Sequence, residues 1–591
     1  MQPGYSPYQN QRKTSSPKFN FKFKLPEFSG GTKKWIFIIL GIFLGLFFIV
    51  YLSLGQLRVF ANNYLRLTFF SKNYIVLLQN NYELRPGGGF ITGYGNFKTF
   101  LGFPTELSFH NSYDIGATDE YVTPPYPHEK MLKNEWYEGY TFRDANWSPD
   151  FRGSTNDLIK FYKQKFPKKD VDGIIVVNFS LIENMIEKLG GIKVGEKELN
   201  KKNLFSSLEF EVNNIDRHDE NELSERKGIL NELSSNLIKK AKWHPFKSKE
   251  IIISSLKNKD IYMWFQSNGM QKKMENRGWG NTFQEPDKND FLSVNLANLG
   301  AKKADRYMLK EVHHYVNISN EIPEITTEVS IRYPGNKNAY ADDYKGYLQV
   351  TVPGKADITN FPVDSNIENN EDFKTIGTEI IMPAGSKMSL TYIYTLPRTF
   401  LEKDEYELNI VKQSGDNKLY RITVETPLDT LIESDNFSTN ENRGMFTDIL
   451  QSDLTLSLKI LPDTIPPYPI EQVFENLKTI VINWNEPMDP ETGNNSANYK
   501  ITDSNQINET TDEIMINSVE MISPSITKLE LEGISEQKLE RYKIELKDIR
   551  DLAGNLIESN PKIITAVQRF KEQPKTELST TEESDGIFNV N

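Results

Sequence analysis

The chain has 591 residues, 38% of them hydrophobic and 25% charged, with a net charge of −12 and no cysteine. A chain this long predicts roughly three to four domains. The lack of cysteine excludes disulfides, thiolate metal sites and a Cys nucleophile, and the acidic balance argues against nucleic acid, whose phosphates need a net basic footprint.

Residues 1–34 hold seven Lys/Arg and one acid, a charge of +6, so the other residues carry −18. This stretch, with Pro3, Pro7, Pro17 and Pro26, predicts a disordered tail. Residues 35–54 (WIFIILGIFLGLFFIVYLSL) carry no charge and are long enough to span a bilayer. No small-residue cleavage site follows, which favours an uncleaved signal-anchor over a signal peptide. The positive-inside rule then predicts a single-pass type II cell-membrane protein, with 1–34 cytoplasmic and the bulk extracellular, in contact with membrane lipid. Gly41 and Gly45 form a GxxxG spacing that could support a homodimer.

Residues 55–71 read as a juxtamembrane stalk. Residues 73–79 (NYIVLLQ) read as a buried strand, broken by Pro86 and Gly87, Gly88 and Gly89 before a second strand. Residues 171–179 predict another strand, followed by a helix with Leu181, Ile182, Met185, Ile186 and Leu189 on one face. A further helix is predicted over about 222–242. Alternation of strands and helices to residue 318 predicts an α/β domain over 72–318. Short alternating strands then predict a β-sandwich over 319–463, and a second all-β unit over 464–566 after the Pro-rich 462–467. Residues 567–591 read as a polar, disordered tail.

Two loops carry candidate chemistry. The glycines after Arg85 could bring backbone N–H groups to an anion while Arg85 supplies a guanidinium fork; the same residues also suit a tight turn with Arg85 paired to Glu83. Arg143, Asp144, Asn146 and Asp150 could form a diphosphate or metal site, or a polar loop in which Asp150 caps the following helix. Arg226 is either a ligand or a solvated helix residue. None of the six histidines has zinc-ligand spacing, and the strand holding His313 and His314 points them to opposite faces. Trp484 and Tyr499 read as core residues.

The stretch IVLLQNNYELRPGGGFITGYG (75–95) resembles the domain-of-unknown-function 4012 family of bacterial envelope proteins. Residues 143–151, 171–194, 225–240, 294–308, 347–356, 392–397 and 406–415 support the likeness, which covers roughly 72–460. That family is in turn distantly similar to the LytR–CpsA–Psr phosphotransferases, which move glycopolymers from a polyprenyl-pyrophosphate carrier to peptidoglycan. The similarity implies an α/β/α core in which arginines hold pyrophosphate and acids hold Mg2+. Carried onto this chain it implies Arg85, Arg143 and Asp144 as catalytic residues, with Asp144 a metal ligand or base, and Asn81, Arg85, Asn146 and Arg226 as substrate-binding residues. Where those enzymes have an Asp-x-Arg pair after the first strand, this chain has Asn81, Glu83 and Arg85. Residues 464–566 resemble bacterial surface-layer-type Ig-like domains through TIVINWNEPMDPET (479–492) and the turn of Asp551, Gly554 and Asn555.

Together these readings predict a multidomain α/β plus all-β protein: a transmembrane helix, a LytR–CpsA–Psr-like α/β/α domain, a β-sandwich and an Ig-like β-sandwich. The expected function is a cell-envelope protein that binds, or transfers, a pyrophosphate-linked glycolipid or cell-wall polymer. The alternative is a non-catalytic adhesion or scaffold protein using its Ig-like domain.

Overall fold

The computed structural model describes residues 71–568, apart from 102, 117–121, 133–138, 208–219, 287–288, 301–302, 321, 336–341, 441, 505–510, 533 and 535–541. Two compact units divide the chain, Met1–Lys72 with Thr99–Thr105, and Asn73–Lys98 with Glu106–Asn591.

Two expectations are corrected. The span at 35–54, its GxxxG and the tails at 1–34 and 569–591 lie outside the described residues. Among the described residues no helix is long and apolar enough to cross a membrane. The longest, Glu220–Trp243, is broken throughout by acids and lysines. The type II membrane placement is withdrawn on that finding. The expected fold class is corrected as well: the described residues form a β-rich, multi-sheet structure, 47% strand and 21% helix. The helical periodicities are real, but few strands alternate with helices.

The first sheet shows why. Strands β1 (Lys72–Arg85), β2 (Gly88–Phe100) and β3 (Phe103–Asn111) follow one another before the first α-helix among the described residues, α1 (His128–Leu132). After α2 (Phe151–Lys165) come β4 (Gly173–Asn178), α3 (Phe179–Leu189), the ribbon β5 (Ile192–Val194) and β6 (Lys197–Leu199), α4 (Glu220–Trp243), α5 (Pro245–Lys257), β7 (Ile261–Phe265) and α6 (Asn268–Glu275). The sheet order is β3-β2-β1-β4-β7. Only β1 and β4 run parallel, in register from Tyr74 opposite Gly173 to Gln79 opposite Asn178, and β7 is antiparallel to β4. Asp150 caps α2, its carboxylate accepting from Arg152 N. Phe151, Leu158 and Phe161 of α2 pack against Ile75, Leu77, Ile174 and Val176 of the sheet. Burying one such side chain contributes roughly 1.5–3 kcal/mol.

The second body is a sandwich of two seven-stranded sheets. Its strands are β8 (Asp290–Asn298), β9 (Leu309–Asn317), β10 (Glu324–Arg332), β11 (Tyr344–Pro353), β12 (Asp357–Asn360), β13 (Ser365–Asn369), β14 (Phe373–Met382), β15 (Lys387–Thr395), β16 (Glu405–Val411), β17 (Leu419–Glu425), β18 (Thr430–Glu433), β19 (Ser438–Asn440), β20 (Arg443–Ile449) and β21 (Leu454–Pro462). One sheet is ordered β12-β15-β10-β9-β17-β20-β19, the other β13-β14-β11-β8-β16-β21-β18. The sandwich thus takes β8 and β9 from ahead of residue 319. All nine residues of β8 are buried, because it lies mid-sheet between β11 and β16. Leu84, at the end of β1, joins the sandwich core beside Val294, Val312 and Val350.

From Pro469 a smaller pair of sheets follows, one of five strands and one of four. Phe474, Trp484, Tyr499, Ile544 and Leu546 fill its core. Trp484 Nε1 donates to Thr527 Oγ1 at 3.0 Å and Tyr499 Oη to the Gly493 carbonyl at 2.8 Å, so both aromatic polar tips are satisfied.

Candidate functional site

The turn from β1 to β2 brings most of the predicted residues together. Arg85 is 2% exposed. Its Nε and Nη2 donate to Asp144 Oδ1 at 3.0 and 2.7 Å, and Nη2 also reaches Glu83 Oε1 at 3.4 Å. Its Nη1 donates to the carbonyls of Leu84 at 3.0 Å and Asn298 at 2.5 Å. A guanidinium has five N–H donors, and here each has an acceptor from the chain itself.

The glycine turn is closed in the same way. Gly87 N donates to the Asn146 carbonyl at 3.0 Å, and Gly89 N to Gln79 Oε1 at 3.1 Å. Asn146 Nδ2 donates back to the Gly89 carbonyl at 2.7 Å, and Tyr262 Oη to the Gly87 carbonyl. Gly88 has φ of +133°, and a Cβ there would overlap Gln79 Oε1. The glycines therefore answer to close packing among the chain's own polar groups.

Ligands in open α/β sheets usually sit beyond the carboxyl ends of parallel strands. In this chain, residues 412–415 of the sandwich occupy that position over β1 and β4. Asn81 Nδ2 donates to the Gly415 carbonyl at 3.2 Å, and Asn178 Nδ2 to Ser414 Oγ at 2.8 Å. Ser414 Oγ donates to the Lys259 carbonyl at 2.7 Å, and Gln413 Nε2 to the Arg85 carbonyl at 3.0 Å. Asn81 Oδ1 accepts from Ser180 N at 3.2 Å at the start of α3. Asp305 accepts from Leu84 N at 3.1 Å and Asn298 Nδ2 at 2.8 Å, tying β1 into the sandwich.

Electrostatics follow the same geometry. Burial acts to raise the Asp144 carboxyl, but Arg85 and then His128, whose Nε2 lies 3.7 Å from Oδ2, hold it well below the usual carboxylate range. Burial pushes Glu83 up against the opposing pull of Arg85. Lys412 is driven down to about 8 by burial, against the attraction of Asp260 and Asp416. With a guanidinium and an imidazole already against its two oxygens, Asp144 does not fit the role of Mg2+ ligand.

The remaining predicted residues fall elsewhere. Arg143 stacks 4.0 Å over the Tyr113 ring and its Nε donates to Thr141 Oγ1 at 3.3 Å. Asp150 accepts from Phe283 N at 3.3 Å besides capping α2. Arg226 lies on α4, where its side chain is outside the described residues.

Two features went unnoticed in the sequence. One is a polar pocket of about 200 Å3 at the amino ends of β1 and β4, lined by Asn73, Asn96, Lys98, Tyr162, Lys168 and Lys169 among others. Asp170 and Glu106 share its wall, Glu106 lying 3.8 Å from Lys169 Nζ. The Tyr74 and Phe97 rings stack beside it at 6.0 Å. The other feature is the group Asp463, Glu486 and Asp551, whose carboxylate oxygens lie within 4.8 Å of one another. Burial, with Asp463 and Asp551 adding to it, raises Glu486 to about 8. Asp551 also accepts from Asn555 N at 2.8 Å, which forms the predicted turn.

Comparison with known proteins assigns one region to a family model. Residues 71–212 match the model of DUF4012, a protein of unknown function. No curated protein matches the chain. Among solved structures, the N-terminal part of the bacterial S-layer protein SbsC matches with 18% identity and a TM-score of 0.15, over 17% of this chain and 24% of that one. The Lin1025 protein from Listeria innocua matches with 12% identity and a TM-score of 0.20, over 36% and 80%. The M1 zinc metallopeptidase from Deinococcus radiodurans matches with 10% identity and a TM-score of 0.15, over 31% and 47%. This chain therefore spans about a quarter of the S-layer chain and half of the peptidase, and at these scores none of the three bears on its chemistry.

Proposed function

We propose that this protein binds a phosphate-bearing glycan and does not transfer it, with the open pocket at the amino ends of β1 and β4 as the binding site. The observation that carries this reading is the contrast in donors. Every N–H of Arg85 already has an acceptor within the chain, whereas Lys168 is exposed at the rim of an open pocket. The ligand class is the one that the LytR–CpsA–Psr-like reading implies. Lysines suit a phosphate as mobile point charges. The Asn73 amide and the half-buried Phe97 ring in the same wall suit a hydroxyl and a face of a sugar.

Titration calorimetry with glucose 1-phosphate, glucose and inorganic phosphate tests this. Binding should favour the sugar phosphate, and the double substitution Lys168→Ala with Lys169→Ala should weaken it at least tenfold, about 1.4 kcal/mol. Unchanged affinity in that variant would sink the pocket as the site, and lost affinity in Arg143→Ala beside it would move the site to the surface around Arg143 and Tyr113.

A further inference from the structure

The corner between α4 and α5 presents a surface that the pocket does not explain. Residues 238–249 contain five lysines and no acid, in a chain of net charge −12. Trp243 and Phe246, on either side of the corner, are 76% and 87% exposed, and Ile238 and Ile252 are exposed beside them. The exposure is not the fraying of a loose end. Leu233 and Leu237 anchor α4 in a buried cluster with Ile186 and Ile192, and Ile251 anchors α5 against Leu181 and Leu189. Ser248 Oγ donates to the Ala241 carbonyl at 2.9 Å and Ser248 N to the His244 carbonyl at 2.9 Å, which braces the corner. Lys240 turns inward to the Gly191 carbonyl at 2.6 Å. Lys239, Lys242 and Lys247 stay exposed and form no ion pair among the described residues. Glu250, the nearest acid in sequence, faces Lys188 at 3.4 Å.

A large aromatic side chain in water loses the free energy of burial unless it meets an apolar phase. Here two such exposed side chains flank a braced corner beside exposed cations. A soluble polyanion would pair with the lysines and leave both rings in water. An anionic bilayer satisfies both, because Trp and Phe enter the boundary of headgroups and acyl chains while lysines meet lipid phosphates. We propose that the α4–α5 corner is a peripheral docking site for an anionic lipid surface, with Trp243 and Phe246 inserting and Lys239, Lys242 and Lys247 supplying the charge contact. This site is independent of the sugar-phosphate pocket.

The absence of cysteine allows a local readout in the full chain. Phe246→Cys is labelled with the environment-sensitive dye NBD, with Val363→Cys, at a 97% exposed sandwich loop position, as control. Vesicles of phosphatidylglycerol should shift the emission at 246 to the blue and raise it at least threefold, while phosphatidylcholine vesicles change it little. Exchanging all three exposed lysines for Gln, or adding 0.5 M salt, should remove most of the response, and position 363 should stay unchanged. The 363 label and the phosphatidylcholine vesicles control for membrane affinity elsewhere in the chain, which would raise the local lipid concentration without selecting position 246. No response at 246 to phosphatidylglycerol, an equal response at 363, or an equal response at 246 to soluble polyphosphate would overturn the proposal, the last assigning the corner to a polyanion.

Discussion

Two buried acids in this protein, Asp144 beside the β1–β2 turn and Glu486 in the C-terminal domain, meet opposite fates. Around the β1–β2 turn, Glu83 and Asp144 close on Arg85, and Asp305 lies 3.7 Å from Lys310. In the C-terminal domain, Asp463, Glu486 and Asp551 close on each other, and none forms an ion pair with a Lys or Arg among the described residues. Burial penalises the charged form in both places. A neighbouring cation overcomes the penalty for Asp144, and neighbouring anions compound it for Glu486. What a buried carboxylate does is set by the balance between burial and its partners, and for Glu83 burial outweighs Arg85, so acidic residues in a candidate motif say little without that balance.

Removing the cation tests the comparison most strongly. Arg85→Ala strands Asp144 and Glu83 in the interior and should cost about 3–5 kcal/mol of stability, read by urea denaturation. The double variant with Asp144→Ala should cost less than the two single losses together. Gly88→Ala adds a Cβ at a left-handed φ against Gln79 and should cost about 1–3 kcal/mol.

The acid-only cluster should respond to pH instead. Glu486 has its folded value raised from 4.5 to about 8, so between those values the folded chain holds a proton that the unfolded chain has lost. Its contribution is full below about 4.5 and is lost as pH rises through about 8. The thermal midpoint of the C-terminal domain should fall across that window, and Glu486→Gln should flatten the slope. The smallest effect is expected at Arg143, where Arg143→Ala removes a stacking contact with Tyr113 worth about 0.5–1 kcal/mol and should leave the Arg85–Asp144 pair intact.

Local features were legible in the sequence. Residues 86 and 87 turn the chain between two strands, Asp150 caps α2, and His313 is exposed while His314 is buried on β9. Each depends on residues within a few positions of one another. The acceptors that complete Arg85 do not: Asp144 is 59 residues away and Asn298 is 213. The residues 412–415 that sit over β1 and β4 were visible only as part of a strand-rich stretch. The α/β/α expectation failed for a related reason. Periodicity located helices at 181–189 and near 222–242, but it could not reveal that β1, β2 and β3 are consecutive or that β8 and β9 belong to the sandwich.

The hydrogen bond from Gln413 to the Arg85 carbonyl joins residues 328 positions apart. At a synthesis rate of about 5–20 residues per second, the ribosome needs roughly 16–66 s to supply Gln413 after Arg85. For that interval the β1–β2 turn lacks the cover it has in the finished chain, and a nascent fragment ending in the matched 71–212 region would keep its polar end open to water or to a chaperone. Maturation of the amino-terminal strands is thereby tied to completion of the sandwich.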